Sequence, residues 1–296
     1  MIVVRLAGGM GNQMFQYAVG RALSVKHGVP LKLDTTFLDH RIKMPHFLRP
    51  NFSFRSFDLD VFNIQAEIAK PSEISFWNRP ILWGRSMLVI DAVLRKLAFL
   101  PGWEKKFYFD ERILQLGSNA YLEGFWQSEK YFLNIADTIR KDFTLNYELS
   151  EPFKKLAEEI ENTNSLCVHL RRMHGGGSFH EKYDMSYYNR GIEHIKKAGT
   201  IDKIFVFSDD IDWCRQNINF GMPTFFIGRE YAGKKGEGDM FLMSKCKYFI
   251  IPNSTFSWWG AWLAKNPDKI VVAPKNLFTN KKIDNKDLIP DDWLRM

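Results

Sequence analysis

The sequence predicts an α/β protein of two halves, each a parallel sheet covered by helices. Three observations predict it. The chain opens as strand, glycine turn, helix, strand; beyond residue 150 strands alternate with helices almost to the end; and 296 residues with 45% apolar content can fill two cores. The boundary is expected near residue 150, giving halves 1–150 and 151–296.

In order, MIVVRL is a β-rich run, AGGMGN a turn, and QMFQYAVGRALSVKHG a helix, with Met14, Phe15, Ala18, Ala22 and Leu23 at helical spacing. VPLKLD at 29–34 is the next strand. An irregular, aromatic-rich middle follows, and NAYLEGFWQSEKYF at 119–132 reads as a strand running into a helix that starts at Gln127 or Ser128. In the second half, PFKKLAEEIENT, MSYYNRGIEHIKKAG, DIDWCRQNI, GDMFLMSKC and TFSWWGAWLAK read as helices. Between and after them SLCVHL, KIFVFS, TFFIG, KYFIIP and KIVVAP read as strands, and such alternation demands crossover connections and a parallel sheet.

Composition narrows the function. Lys and Arg number 41 against 34 Asp and Glu, a spread-out excess of +7 that suits an ordinary surface or an anionic ligand. No basic stripe is interleaved with exposed aromatics, so nucleic acid is not expected as a partner. Cys167, Cys214 and Cys246 are odd in number and widely spaced, as in reduced core thiols of a cytosolic protein, and have no zinc spacing. The opening residues lack a signal-peptide pattern. ILWGRSMLVIDAVLRKLAFL at 81–100 carries Arg85, Asp91, Arg95 and Lys96, too many charges to span a bilayer. It reads first as a helix covering the core, and second as an amphipathic helix giving peripheral contact with the cytoplasmic membrane.

Ligands of open parallel sheets bind beyond the carboxyl ends of the strands. There the second half carries His169, Arg171 and Arg172 after one strand, Ser208, Asp209 and Asp210 after the next, and Asn253, Ser254, Thr255 and Ser257 after a third. Each serine-rich or aspartate-rich group is also a good helix cap, but their coincidence at successive strand ends points to one anion site. Arginine binds phosphate bidentately and a helix start offers free N–H groups, so a diphosphate is the suggested ligand. In the first half the turn is GGxGNQ. It lacks the Lys-Ser/Thr of a P-loop, and Met14 stands where a dinucleotide fingerprint needs a small residue, so a nicotinamide enzyme is not expected. Gly9, Gly11, Asn12, Gln13 and Gln127 are the candidate substrate-facing residues of this half; the glycines admit close backbone approach, and Asn12 and Gln13 can donate to sugar hydroxyls.

Taken in order, AGGMGNQMFQYAVGRAL, GFWQSEKYF, VHLRR, FSDD and NSTFSWWGAWL resemble the ordered motifs of the α-1,2-fucosyltransferases of glycosyltransferase family 11, from residue 4 to about residue 275. The resemblance implies a GT-B type fold, two Rossmann-like domains with parallel sheets facing across a cleft. It also implies GDP-β-L-fucose as donor, inversion at the anomeric carbon, and neither metal nor other cofactor. The acceptor expected with it is a galactoside-containing glycan. Carried over by residue, Arg172 with Arg171 lies on the GDP phosphates, His169 and Asp239 contact the nucleoside, and Ser254, Thr255 and Ser257 lie by the diphosphate. Trp258 and Trp259 read as core packing instead.

The chain departs from the family at one position. The pattern HxRRxD continues here as His169, Leu170, Arg171, Arg172, Met173, His174, so an imidazole replaces the carboxylate. His174 then ranks first as general base, ahead of Glu181 and Asp184 in the same loop. Two other readings are kept: a sugar-nucleotide-binding protein that has lost transfer activity, and a metal-dependent GT-A enzyme using the acidic runs at 58–60 or 291–292.

Overall fold

The computed structural model describes residues 1–38, 56–74, 107–172, 184–280 and 282–296. They form two compact units that divide between Thr144 and Leu145. This is slightly before the expected boundary at 150, because the linking stretch packs with the second unit: the Tyr147 hydroxyl donates to Glu237 at 2.5 Å.

The first unit contains β1 (Ile2–Arg5), α1 (Met10–His27), β2 (Leu31–Asp34), β3 (Glu67–Ile68), α2 (Pro71–Ile74), β4 (Ala120–Leu122) and α3 (Ala136–Asp142). Its strands pair in parallel in the order β3-β2-β1-β4. Gly9 caps α1 at the start, and Gly28, at φ +61°, ends it in the left-handed region that a side chain resists. Gly20 lies where helix meets sheet: a Cβ there would sit 2.8 Å from Leu31 Cδ1 and collide with Val4. That contact explains a glycine in mid-helix. After β4 the chain does not start the expected α-helix; Ser128 caps only a single 3₁₀ turn, Glu129–Tyr131. Just before that turn Trp126 adopts φ +45° with its side chain fully buried.

The second unit contains α4 (Glu151–Glu161), β5 (Ser165–Leu170), α5 (Met185–Ala198), β6 (Lys203–Ser208), α6 (Ile211–Asn217), β7 (Thr224–Phe226), α7 (Glu237–Met243), β8 (Tyr248–Ile250), α8 (Thr255–Leu263), β9 (Ile270–Ala273) and β10 (Leu294–Arg295). The parallel sheet has the order β10-β9-β8-β5-β6-β7. The chain moves outward from β5 through β6 to β7, then returns to the other side of β5 with β8. The reversal falls between β5 and β8, where a doubly wound sheet opens a crevice at its carboxyl edge. All of β5 is buried, as a central parallel strand should be. Leu166, Val168 and Leu170 join Tyr188, Ile192 and Ile195 of α5 in one core cluster, leaving Cys167 and His169 on the opposite face. The three cysteines are free and buried.

The segment 81–100 lies outside the described residues, and among those that are described no helix is long and apolar enough to cross a membrane. Trp258 and Trp259 are buried; Trp258 lies 5.1 Å from Trp259 and donates its Nε1–H to Leu288 O at 2.9 Å.

Candidate functional site

At the reversal point of the second unit, Arg171 follows the end of β5 and Ser254 follows β8. The Arg171 Nη1 donates to Ser254 Oγ at 3.3 Å, bridging the two strand ends. Ser254 is the N-cap residue of α8, yet its hydroxyl makes no capping bond, so the first-turn N–H groups keep their capacity for an outside acceptor. A guanidinium and an uncapped positive helix end thus face the same place, a pairing suited to a diphosphate. Asn253 donates from Nδ2 to Leu277 O, which fixes the segment before the helix. Ser257 is buried, and its hydroxyl donates back to Ser254 O at 3.4 Å. Thr255 opens the helix at the rim.

Beside this anion site lie two buried side chains with open hydrogen-bonding capacity. His169 Nδ1 and Asp239 Oδ1 have no partner among the described residues. Such atoms are costly to bury, and each keeps the capacity for one more hydrogen bond. Burial, helped by the Arg171 charge, lowers the His169 pKa to about 3, so the ring is neutral and one nitrogen can accept. Burial, with nearby Glu237 adding repulsion, raises the Asp239 carboxyl to about 7. Asp239 interacts electrostatically with Cys167, which shares a strand face with His169, and the Phe256 ring lies 6.3 Å from the imidazole. Glu237 has the opposite role. It is fully buried and accepts from Lys234 N at 2.9 Å, Lys235 N at 2.7 Å and the Tyr147 hydroxyl, holding the turn that delivers Asp239.

The two arginines part company. Arg172 turns toward the end of β6: its backbone N–H donates to Asp209 Oδ1 at 2.8 Å, its Nε lies 3.4 Å from Asp210 Oδ2, and its guanidinium sits 3.3 Å from the Trp213 ring centroid. Asp210 also caps α6, accepting from Trp213 N at 3.3 Å, while Ser208 Oγ accepts from Asp210 N at 3.0 Å. Asp184 is the N-cap of α5. It accepts from Ser186 Oγ at 2.6 Å and Tyr187 N at 3.2 Å, bonds that hold its carboxyl below the ordinary range. It is committed to capping and poorly suited to take a proton at neutral pH. His174 and Glu181 lie outside the described residues. Trp213, Phe256 and Glu237 also belong to this region and were not expected from the sequence. Trp213 was discoverable as the residue one helical turn after the Asp210 cap, over the strand end.

In the first unit Gly8 takes φ +80°, and a Cβ there would lie 2.5 Å from Asn12 Nδ2. Gly9 and Gly11 lead α1 in behind it. Gln13 is not free to meet a sugar, contrary to expectation. It is fully buried, donates to Gly8 O at 3.0 Å and Ser56 O at 2.8 Å, and accepts from Asp58 N at 2.9 Å. Gln16 works likewise, accepting from Ala7 N at 2.9 Å and donating to Gly124 O at 2.8 Å. Asn12 and Gln127 do meet, Gln127 Nε2 donating to Asn12 Oδ1 at 2.9 Å, and both are partly exposed. Asp58, a carboxylate of the metal-dependent alternative, is a buried acceptor for Ser56 Oγ at 2.9 Å. Among the described residues no group of three or more His, Cys, Asp and Glu could hold a metal ion.

Comparison with known proteins agrees with this architecture. The chain is 33% identical to an alpha-1,2-colitosyltransferase of Escherichia coli over all of its own length and 99% of that protein's. It is also 33% identical to the O-antigen biosynthesis glycosyltransferase WbnK of Escherichia coli, over 98% and 99% of the two chains. A galactoside alpha-(1,2)-fucosyltransferase 1 of Rattus norvegicus is 29% identical over 48% of this chain and 41% of its own. Among solved structures, the fucosyltransferase NodZ from Bradyrhizobium superposes with a TM-score of 0.50 at 18% identity, covering 88% of this chain and 91% of that one; the shared fold is of GT-B type. The profile of glycosyl transferase family 11 matches residues 85–296, and with these full-length relatives it shows that the chain belongs to glycosyltransferase family 11.

Proposed function

We propose that this glycosyltransferase moves L-fucose from GDP-β-L-fucose to the 2-hydroxyl of a β-galactoside in a glycan or polysaccharide repeat unit, inverting the anomeric centre. The observation that carries the reading is the bridge from Arg171 to Ser254 at the uncapped start of α8, beside the open His169 and Asp239. The donor binds the 151–296 half and the acceptor the 1–150 half. Arg171 and the first turn of α8 take the diphosphate. Asp239, ionised, accepts from the guanine N1–H and 2-amino group, and neutral His169 accepts a further nucleoside hydrogen bond. Arg172, clasped by Asp210 and Trp213, positions the segment that carries Arg171.

In the reaction the acceptor oxygen bonds to C1 as the bond from C1 to the β-phosphate oxygen breaks, and the electron pair leaves with GDP. The acceptor proton passes to a base, for which His174 is the first candidate and Glu181 the second. Because negative charge grows on the diphosphate, a preset guanidinium and helix end stabilise the transition state more than the bound donor. No cofactor is required; GDP-fucose is a substrate. The names of the relatives support α-1,2 transfer, and WbnK's place in O-antigen biosynthesis supports a cytoplasmic reaction on a growing repeat unit; the mixed apolar and basic sequence of residues 81–100 supports peripheral membrane contact.

The deciding experiment incubates the protein with GDP-fucose and a panel of β-galactosides, following GDP release and the linkage formed by NMR. A 2-linked α-fucosyl product is expected. GDP binding without turnover on any acceptor would favour the binding protein instead. The colitosyltransferase relative motivates a second donor, GDP-colitose, which lacks one ring hydroxyl; a larger kcat/KM with it would redefine the donor sugar and leave the site intact.

A further inference from the structure

The first unit has its own reversal point, between β1 and β4 in the order β3-β2-β1-β4. Val4 pairs with Leu122, so Arg5 and Glu123 follow side by side at the carboxyl rim. Their alternation puts them on the face of Val3 and Tyr121, opposite to Val4, which α1 covers. Arg5 Nη1 donates to Glu123 Oε1 at 2.7 Å, and both side chains keep roughly a quarter of their surface exposed. Arg5 Nε is buried with no partner among the described residues, an imperfection that a purely structural pair would be selected to avoid. The Arg5 guanidinium also lies 5.0 Å from the Phe37 ring centroid. Beyond Glu123, Gln16 holds Gly124 by its carbonyl and buried Trp126 anchors the next turn, leaving Phe125 37% exposed between them. The Asn12 and Gln127 amides, bonded to each other, belong to the start of α1 and the turn after Trp126.

A part-buried ion pair followed two residues on by an exposed aromatic ring has the chemistry of a hexopyranose site. The carboxylate and guanidinium read adjacent hydroxyls, as acceptor and donor, and the ring covers an apolar face of the sugar. A β-galactoside suits it, because its axial 4-hydroxyl leaves the C3, C4 and C5 hydrogens together on one face. We propose that Arg5, Glu123 and Phe125 form the binding site for the acceptor's terminal galactose, a specificity site rather than a source of the transferred charge. The inference rests on the proposed transfer to a galactoside.

The test uses the full chain with GDP-fucose and lactose, N-acetyllactosamine and galactosyl-β-1,3-N-acetylgalactosamine. Acceptor KM, donor KM and Tm are measured for Glu123→Gln and Phe125→Ala, and saturation-transfer NMR reads galactoside binding without turnover. Each variant is expected to raise acceptor KM about tenfold and weaken the galactose signals, with donor KM held within about twofold. If Glu123→Gln lowers Tm by more than a few degrees, Phe125→Ala decides alone, since its ring is exposed. Turnover with unchanged acceptor KM in the deciding variant overturns this site and leaves the proposed function standing. Turnover of no galactoside, with strong saturation transfer lost in the variants, does the reverse. Neither turnover nor saturation transfer with any of the three sinks both.

Discussion

The two sheets end in different ways, and the difference separates buried amides that hold backbone from side chains left open. At the carboxyl edge of the first, amides close on backbone: Gln13 with Gly8, Ser56 and Asp58, and Gln16 with Ala7 and Gly124. Asp34 there accepts from the Tyr121 hydroxyl at 2.6 Å and from Thr36 N at 2.9 Å. At the edge of the second, His169 and Asp239 hold buried atoms with nothing among the described residues to bond, and Ser254 starts a helix without capping it. The glutamine network beneath the glycine turn of the first unit is thus closed, apart from the Arg5 and Glu123 pair at the same edge, while the second unit is open at its reversal point. A conspicuous polar motif marks a ligand only where its hydrogen-bond inventory is left incomplete.

The largest expected effect breaks the comparison at the open edge. Arg171→Ala should lower kcat/KM by about 10²- to 10³-fold, chiefly in kcat, as removal of a preset transition-state donor does. Arg172→Ala, acting through position, should cost about tenfold. Steady-state kinetics of both variants checks the order, and a larger loss at Arg172 would exchange their roles.

Next comes Asp239. An ionised carboxylate is needed to accept from guanine, so GDP affinity should rise with pH through about 7 and flatten above it, and Asp239→Asn should weaken binding about 10- to 100-fold and abolish that rise. Folding moves the other way. The folded pKa lies above the ordinary aspartate value of 3.8, so the native state holds the extra proton between 3.8 and about 7, and this group's contribution to stability is lost as pH rises through that window. Titration calorimetry from pH 5.5 to 8.5 and melting of the unliganded protein should therefore show opposite slopes.

At the closed edge the expected change is in stability. Gln16→Ala strands Ala7 N–H and Gly124 C=O and should cost about 1–3 kcal/mol in denaturant unfolding, with GDP affinity unchanged. The smallest effect expected is that of EDTA, which should leave the rate within about twofold, since arginine and the helix start supply the positive charge. A large loss restored by Mn²⁺ would overturn that assignment.

Periodicity and turn chemistry made most of the fold legible. β5, β6 and α5 coincide with the segments read as SLCVHL, KIFVFS and MSYYNRGIEHIKKAG, because a buried strand and an amphipathic helix write their period into the chain. β3 and β10 have two residues each, too few for any period, and are set by pairing with a neighbour. Ser128 looked like a helix start and caps one 3₁₀ turn, since its local signal is the same for both. The polar strand ends were also visible, but the directions of their side chains were not. That Arg171 reaches Ser254 while Arg172 lies on Trp213 depends on contacts 83 and roughly 40 residues apart in sequence, beyond any local pattern. Gln13 and Asn12 are chain neighbours with opposite fates for the same reason.

Trp126 carries an evolutionary consequence. Its backbone at φ +45° costs about 1–2 kcal/mol for a bulky residue, while its indole fills the interior completely. Glycine would relax the backbone and empty the space; phenylalanine would keep much of the bulk and all of the torsion. No single substitution meets both demands, so drift at this position has to wait for a compensating change among its neighbours. The turn between Glu123 and Ser128 is therefore a point where the path of descent is narrow.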